Sequence, residues 1–281
     1  MRRLALCLFL LFCVPWTAAE PLVVWNRLLD HPNPAVAGLL RLALDLTSDE
    51  YGPYTLKSSV EMEQGRAVRE LQSGQMDVAV FAPDKERERT LIGVYVPLAR
   101  GLLGWRVCLI RPGEEGRFAA IDSLARWQSS GLLIGQHQSW PDTRLLQANG
   151  LRVELGFRYE GLFRMLRKGR FDCFLRSVIE VEDEQKANPD LAIEPHLVFR
   201  YPLALMFFVS PRRPDLARRI EAGLLRARAN GAYDRLFEQG FDGTIRRLGL
   251  ERRTVLDLQN PDLPERSRLM LADPALTFPR P

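Results

Sequence analysis

The sequence is poor in the residues from which covalent frameworks and metal sites are built. It holds four cysteines and three histidines in 281 residues. His31, His137 and His196 stand far apart, so no metal-ligand spacing is present. No Ser-His-Asp set, phosphate loop or cofactor motif occurs, and none of these chemistries is expected. Long apolar runs are missing as well, apart from one at the start. There Arg2 and Arg3 precede Leu4–Val14, and Thr17-Ala18-Ala19 offers a small-residue exit. A run of about eleven residues is short of the ~20 needed to cross a bilayer, so residues 1–19 read as an export signal cleaved near Ala19. Cys13 follows Phe12, where a lipoprotein signal wants a small residue, which argues against lipid attachment. Charge of one sign is missing too. Removing the leader lowers the formal charge from +4 to +2, with 35 acids against 37 bases, and gives no electrostatic case for nucleic acid. Cys7 and Cys13 leave with the leader. Cys108 and Cys173 remain in the apolar runs WRVCLIR and FDCFL, which favours buried free thiols over a bridge.

What is present is an alternation of short β-type runs with amphipathic helical ones, the pattern of parallel sheets flanked by helices. The fold class is α/β. Residues 21–26 read as a strand, 32–47 as a helix, 55–62 as a strand, 65–74 as a helix closed by Gly74, and 76–83 as an apolar strand stopped by Pro83. A long extended pass, 96–112, leads to a second series. It contains a helix around 121–128, a strand over 131–136, and a helix over 139–150 with Ser139 as N-cap and Asp142 completing a capping box. RVELGF, YEGLFRMLRKG and FDCFLR follow as strand, helix and strand. A second pass, 201–210, precedes a long helix over 215–231. Two series joined by two passes predict two lobes, and about 260 residues suit two domains better than one. From Arg252 the character changes. RTVLDLQ has the pattern of one more strand, and the Pro-rich stretch beyond it, with Pro261, Pro264, Pro274, Pro279 and Pro281, reads as a strap and not a regular core element.

LQSGQMDVAV, DKERERTLIGVYVPL, LRKGRFDCFL and RRIEAGLLRARANGAYDRLF, in this order and spacing, resemble the bacterial extracellular solute-binding proteins of family 3 over about residues 21–245. GLLGWRVCLIRPG and GQHQSWPDTRLLQANG resemble a little-characterised subgroup of that family. The resemblance implies the two-lobed type 2 periplasmic-binding-protein fold with two crossings. Lobe one would hold 20–110 and 200–250, lobe two 111–199, and 251–281 would form the tail.

Sheets of this kind gather ligands at the carboxyl ends of their strands. That singles out Trp25 and Asn26, Asp84 and Arg87, Gln136, Ser139 and Trp140, and Arg176 and Ser177. In the family pattern an Arg three residues after a Thr grips the ligand carboxylate. Asp84-Lys85-Glu86-Arg87 keeps that spacing with Asp in the Thr position, and a planar guanidinium suits bidentate capture. A place in a charged surface run is the alternative for Arg87. The helix opened by Ser139 offers an N-terminus to an anion, with capping as the alternative, and Trp140 a flat surface or a packing aromatic. Amino-acid-binding members carry an Asp five residues after the position of Asp172. Here that position is Ser177, with Arg176 before it, which points to an anionic or carboxylate-bearing ligand. A salt bridge from Arg176 to Glu180 or Glu182 is the alternative. Arg66 is a further possible cleft cation.

The expected protein is therefore a non-catalytic, monomeric periplasmic binding protein that closes on a small molecule, without a cofactor. Its partner is an ABC-type permease or a membrane sensor. The fold also resembles periplasmic dehydratases, whose chemistry would need a general acid among Asp84, Glu160 and Glu180.

Overall fold

The computed structural model describes residues 19–31 and 33–278; nearly all of the expected export signal lies outside them. In chain order the strands are β1 (Glu20–Val24), β2 (Tyr54–Ser58), β3 (Val78–Phe81), β4 (Ile92–Gly93), β5 (Trp105–Ile110), β6 (Ile134–His137), β7 (Val153–Gly156), β8 (Cys173–Ser177), β9 (Ala192–Ile193), β10 (Leu197–Arg200), β11 (Met206–Val209) and β12 (Thr254–Asp257). They form two sheets. The first has the order β2-β1-β3-β11-β4, and the second β12-β10-β5-β8-β6-β7, with β9 also paired to β5. Within each sheet the strands that carry the α/β pattern run parallel. β1 pairs with β2 and β3, and β6 with β7 and β8, while β11 and β5 enter antiparallel from the long passes. The α/β class and the two-lobed architecture are as the sequence implies.

Local chemistry explains the elements that frame the cleft. The helix Pro34–Asp45 starts where Asn33 accepts the Ala35 N–H at 3.0 Å and Pro34 takes the first helical position. The helix Gln64–Ser73 stops at Gly74, which is left-handed with φ 76°. β3 and β11 are buried along their whole length, as central strands covered on both faces must be.

Three expectations change. The strand Trp105–Ile110 belongs to the second sheet, so lobe two starts before residue 111, and the first pass between lobes occupies the segment just before it. At that pass Gly104 lies against the returning chain, where an added Cβ would stand 2.0 Å from the Tyr201 carbonyl oxygen. Cys108 and Cys173 are joined in a disulfide between the neighbouring strands β5 and β8. Each sits in its own apolar run, and the antiparallel register brings them together. The tail also departs from an irregular strap. β12 joins β10 in the second sheet, and then the chain returns to the first lobe as the helix Glu265–Ala272. Pro264 immediately precedes that helix, where a missing N–H costs nothing. Its Ser267 hydroxyl donates to Glu88 at 2.5 Å, Met270 is buried, and the Arg266 guanidinium lies 3.8 Å over the Tyr95 ring. Phe278 ends the described chain against Trp105 and Phe237. Among the described residues, four passages therefore join the lobes instead of two.

Candidate functional site

A cavity of about 650 Å³ opens between the two sheets and takes its lining from both lobes. On the lobe-one side it is built at the carboxyl ends of β1, β2 and β3. Trp25 and Asn26 follow β1, Ser59 follows β2, and Phe81 and Ala82 close β3. On the lobe-two side it is built from the ends of β6 and β8 and the start of the antiparallel β5, through His137, Arg176 and Arg106. This is where α/β sheets present their loops and helix N-termini.

Of the residues singled out in the sequence, Trp25, Asn26, Trp140 and Arg176 line the cavity. The Trp25 indole N–H donates to the Met62 carbonyl at 3.2 Å, and its ring packs 5.0 Å from Phe81. Asn26 Oδ1 is buried without a hydrogen-bond partner.

The others stand apart from the lining. Arg87 is buried one layer behind it. Its guanidinium donates to the Ala82 carbonyl at 2.7 Å and to Gln64 Oε1 at 3.2 Å, pairs with Asp84 at 3.2 Å, and lies 4.9 Å over Phe81. Burial lowers the Arg87 pKa, only partly offset by Asp84. Arg87 thus acts as a brace for the strand ends. Asp84 caps the helix Lys85–Thr90 by accepting the Arg87 N–H at 2.8 Å. Gln136 is buried and donates to the Leu175 carbonyl, and the Ser177 hydroxyl donates to Leu102 in the pass between lobes. Arg66 is exposed and paired with Glu70.

The capping box is not formed. The helix Pro141–Ala148 has Trp140 as its N-cap, without a side-chain cap. Pro141 takes the first helical position and shifts the start one residue beyond Ser139, whose hydroxyl lies 2.8 Å from His137 Nδ1. Asp142 turns away from capping to Arg106, which donates to its Oδ2 at 2.8 Å with both side chains nearly inaccessible. Burial works against the Arg106 charge, yet Asp142 outweighs it and holds the guanidinium above its ordinary value. Arg106 Nε, Asp142 Oδ1 and the neighbouring Tyr201 hydroxyl remain buried without partners.

Arg176 is the centre of a second cluster. Its Nε donates to both oxygens of Glu184 at 2.9 and 2.8 Å, and Nη2 donates to Glu184 at 2.5 Å and Glu180 at 3.0 Å. The expected partner Glu180 is present, but Glu182 is engaged elsewhere, with Arg247. Three rings surround the guanidinium, Trp140 at 4.6 Å, Phe174 at 5.0 Å and Tyr159 at 5.6 Å, and the Tyr159 hydroxyl donates to Glu184 at 2.7 Å. Burial disfavours the charge on Arg176, but Glu184 and Glu180 raise its pKa far above the usual range. Burial likewise opposes the Glu180 carboxylate, and Arg176, with help from Arg106 and His31, overrides it and lowers that pKa.

Sequence reasoning missed Arg106, His31, Phe81, Tyr159 and Glu184. A signal for Arg106 was present, because a lone charge inside the buried run WRVCLI requires a buried partner. His31 Nε2 is buried without a partner, and burial lowers the imidazole pKa despite the nearby Glu180.

This architecture defines the chain as a two-lobed type 2 periplasmic-binding-protein fold, and solved structures share it. An arginine-specific periplasmic binding protein from Salmonella typhimurium matches at 17% identity over 79% of this chain and 100% of its own, with a TM-score of 0.58. An amino-acid ABC transporter substrate-binding protein from Streptococcus pneumoniae, bound to L-arginine, matches at 16% over 80% and 96%, TM-score 0.59. An ancestral amino-acid-binding protein, described as a precursor of cyclohexadienyl dehydratase, matches at 13% over 79% and 95%, TM-score 0.59. No family model matches the chain, and no curated relative matches its sequence.

Proposed function

We propose that this chain is a solute-binding protein that captures a small molecule in the cleft between its lobes, outside the cytoplasm, and delivers it to an ABC-type permease. The observation that carries this reading is the cavity lined by strand ends of both lobes, with unpartnered polar atoms on each wall. A ligand touching both walls stabilises the closed arrangement by its differential affinity. Solved relatives of the fold serve amino-acid ABC transporters, and the disulfide suits an oxidising compartment.

The electrostatics move the ligand class away from the anion that the sequence suggested. Seven carboxylates and three guanidiniums line the cavity. Each of those guanidiniums, Arg27, Arg106 and Arg176, is held by a carboxylate of the protein itself. Asp30, Glu61 and Glu160 at the rim form no ion pair among the described residues. The field therefore favours a ligand with an ammonium or other cationic group beside a flat apolar part that Trp25 and Phe81 can cover. The dehydratase alternative loses two of its three candidate acids, because Arg176 keeps Glu180 ionised and Asp84 caps the helix Lys85–Thr90 apart from the lining.

Thermal unfolding in the presence of amines, amino acids and carboxylic acids tests the proposal. A ligand at a hundred times its dissociation constant adds about 2.7 kcal/mol of stability. Stabilisation by cationic or zwitterionic compounds is expected. A protein that responds to no small molecule of any of the three groups is not a solute-binding protein.

A further inference from the structure

The cluster around Arg176 has the composition of a binding site for a cation. Two carboxylates, Glu180 and Glu184, converge on one point, and Trp140, Phe174 and Tyr159 wall it with ring faces or edges. Trp140 and Phe174 are stacked nearly parallel, with an interplanar angle of 3°. Rings presented to a cation and paired carboxylates are what a guanidinium or alkylammonium ligand requires. Both oxygens of Glu184 and Oε2 of Glu180 accept from one residue of the same chain, Arg176, which enters from β8 at the edge of the cavity.

We infer that lobe two contains a guanidinium-binding cage permanently occupied by the side chain of Arg176, and that Arg176 is a specificity-determining residue that bars ligand cations from that cage. The ligand's cationic group is thereby directed to the lobe-one wall and the rim carboxylates. This deepens the proposed function by assigning which wall recognises the cation, and it rests on that reading only for its biological meaning. The cage itself is testable without knowing the native ligand.

Arg176→Ala removes the occupant and leaves one buried and one half-buried carboxylate, Glu184 and Glu180, facing three rings. Ethylguanidinium restores the deleted atoms as a free molecule, and ethylurea has a similar shape without charge. Thermal unfolding and calorimetric titration of the full chain with each compound form the test. Ethylguanidinium should stabilise the variant saturably and bind it at least about tenfold more tightly than wild type, while ethylurea should do neither. Adding Glu184→Gln to the variant should abolish the response. Equal responses of wild type and variant, or a variant that ignores ethylguanidinium, would overturn the inference. If the variant does not fold alone, its refolding yield becomes the readout. A yield that depends on ethylguanidinium and not on ethylurea supports the cage, and a yield that is equal or nil with both refutes it. A ligand screen that fails on wild type bears on the proposed function and leaves this rescue unaffected.

Discussion

Lobe one meets the cleft with Asn26, His31 and the packed pair Trp25 and Phe81, flanked by the exposed Asp30 and Glu61 and the pair Arg27–Glu63, whereas lobe two meets it with two buried ion clusters, Arg106 with Asp142 and Arg176 with Glu180 and Glu184. The lobe-one wall has polar capacity to offer a ligand at low cost, since Asn26 Oδ1 and His31 Nε2 have no competing partner. The lobe-two wall has paired its charges internally, although Arg106 Nε and Asp142 Oδ1 keep unused hydrogen-bonding capacity, and a ligand that disrupted the pairs would leave a buried ion unpaired. Under the proposed function, this contrast gives recognition mainly to one wall and rigidity to the other.

The largest expected effect lies in lobe two. Asp142→Ala strands the Arg106 guanidinium and should cost about 3–5 kcal/mol in denaturant unfolding. Replacing both partners with apolar residues of similar volume should recover most of that loss. If Asp142→Ala is as mild as a rim substitution, the two walls do not differ as described. Replacing Cys108 and Cys173 together with serine removes a link across 65 residues, and should cost about 2–4 kcal/mol. Hydrogen exchange should show the loss concentrated in β5 and β8, with lobe one little affected.

Acid should separate the lobes by pH. The His31 pKa lies below the ordinary 6.5, so the unfolded chain takes up that proton first. Stability is full above pH 6.5 and declines as pH falls from there through the folded value. The Glu180 pKa lies below the ordinary 4.5, so its contribution persists to lower pH and is lost as pH falls through its own folded value. A stability-pH profile should therefore decline in two stages. His31→Gln should remove the earlier stage only, and a single transition insensitive to that change would contradict the assignment. The smallest effect is expected at the rim. Asp30→Asn with Glu61→Gln should change stability by less than about 1 kcal/mol, yet slow association of a cationic ligand at low salt and have little effect at high salt. Stopped-flow binding at two ionic strengths checks this.

The order of helices and strands was legible because each run carries its own period and its own stop signal. β12 was legible for the same reason, and Arg176 was placed at the cleft by its position at a strand end. Pairings across the sheet were not legible. The disulfide depends on the antiparallel register of β5 against β8, which puts Cys108 and Cys173 within bonding distance although neither run refers to the other. Arg87 was misplaced because its spacing from Asp84 fixes the helix start but not the direction of the side chain, which turns back to the Ala82 carbonyl. Glu184 was invisible inside VEDEQK, a run with the composition of a solvated helix face. Burial of one of its four acidic or basic members could be known only from the packing of Tyr159 and Arg176.

The return of the tail has a consequence for how the molecule is made. β11 completes the first sheet's pairing only after residue 206, and β12 adds the edge of the second sheet at 254–257. Neither sheet can close on a growing chain until most of it has emerged, and the helix Glu265–Ala272 comes later still. Folding by lobes in succession, the usual order for a multidomain chain, is therefore barred. A chain interrupted before β11 would present two unfinished sheets with open edges, and one interrupted between β11 and β12 would still leave the second sheet without its edge strand.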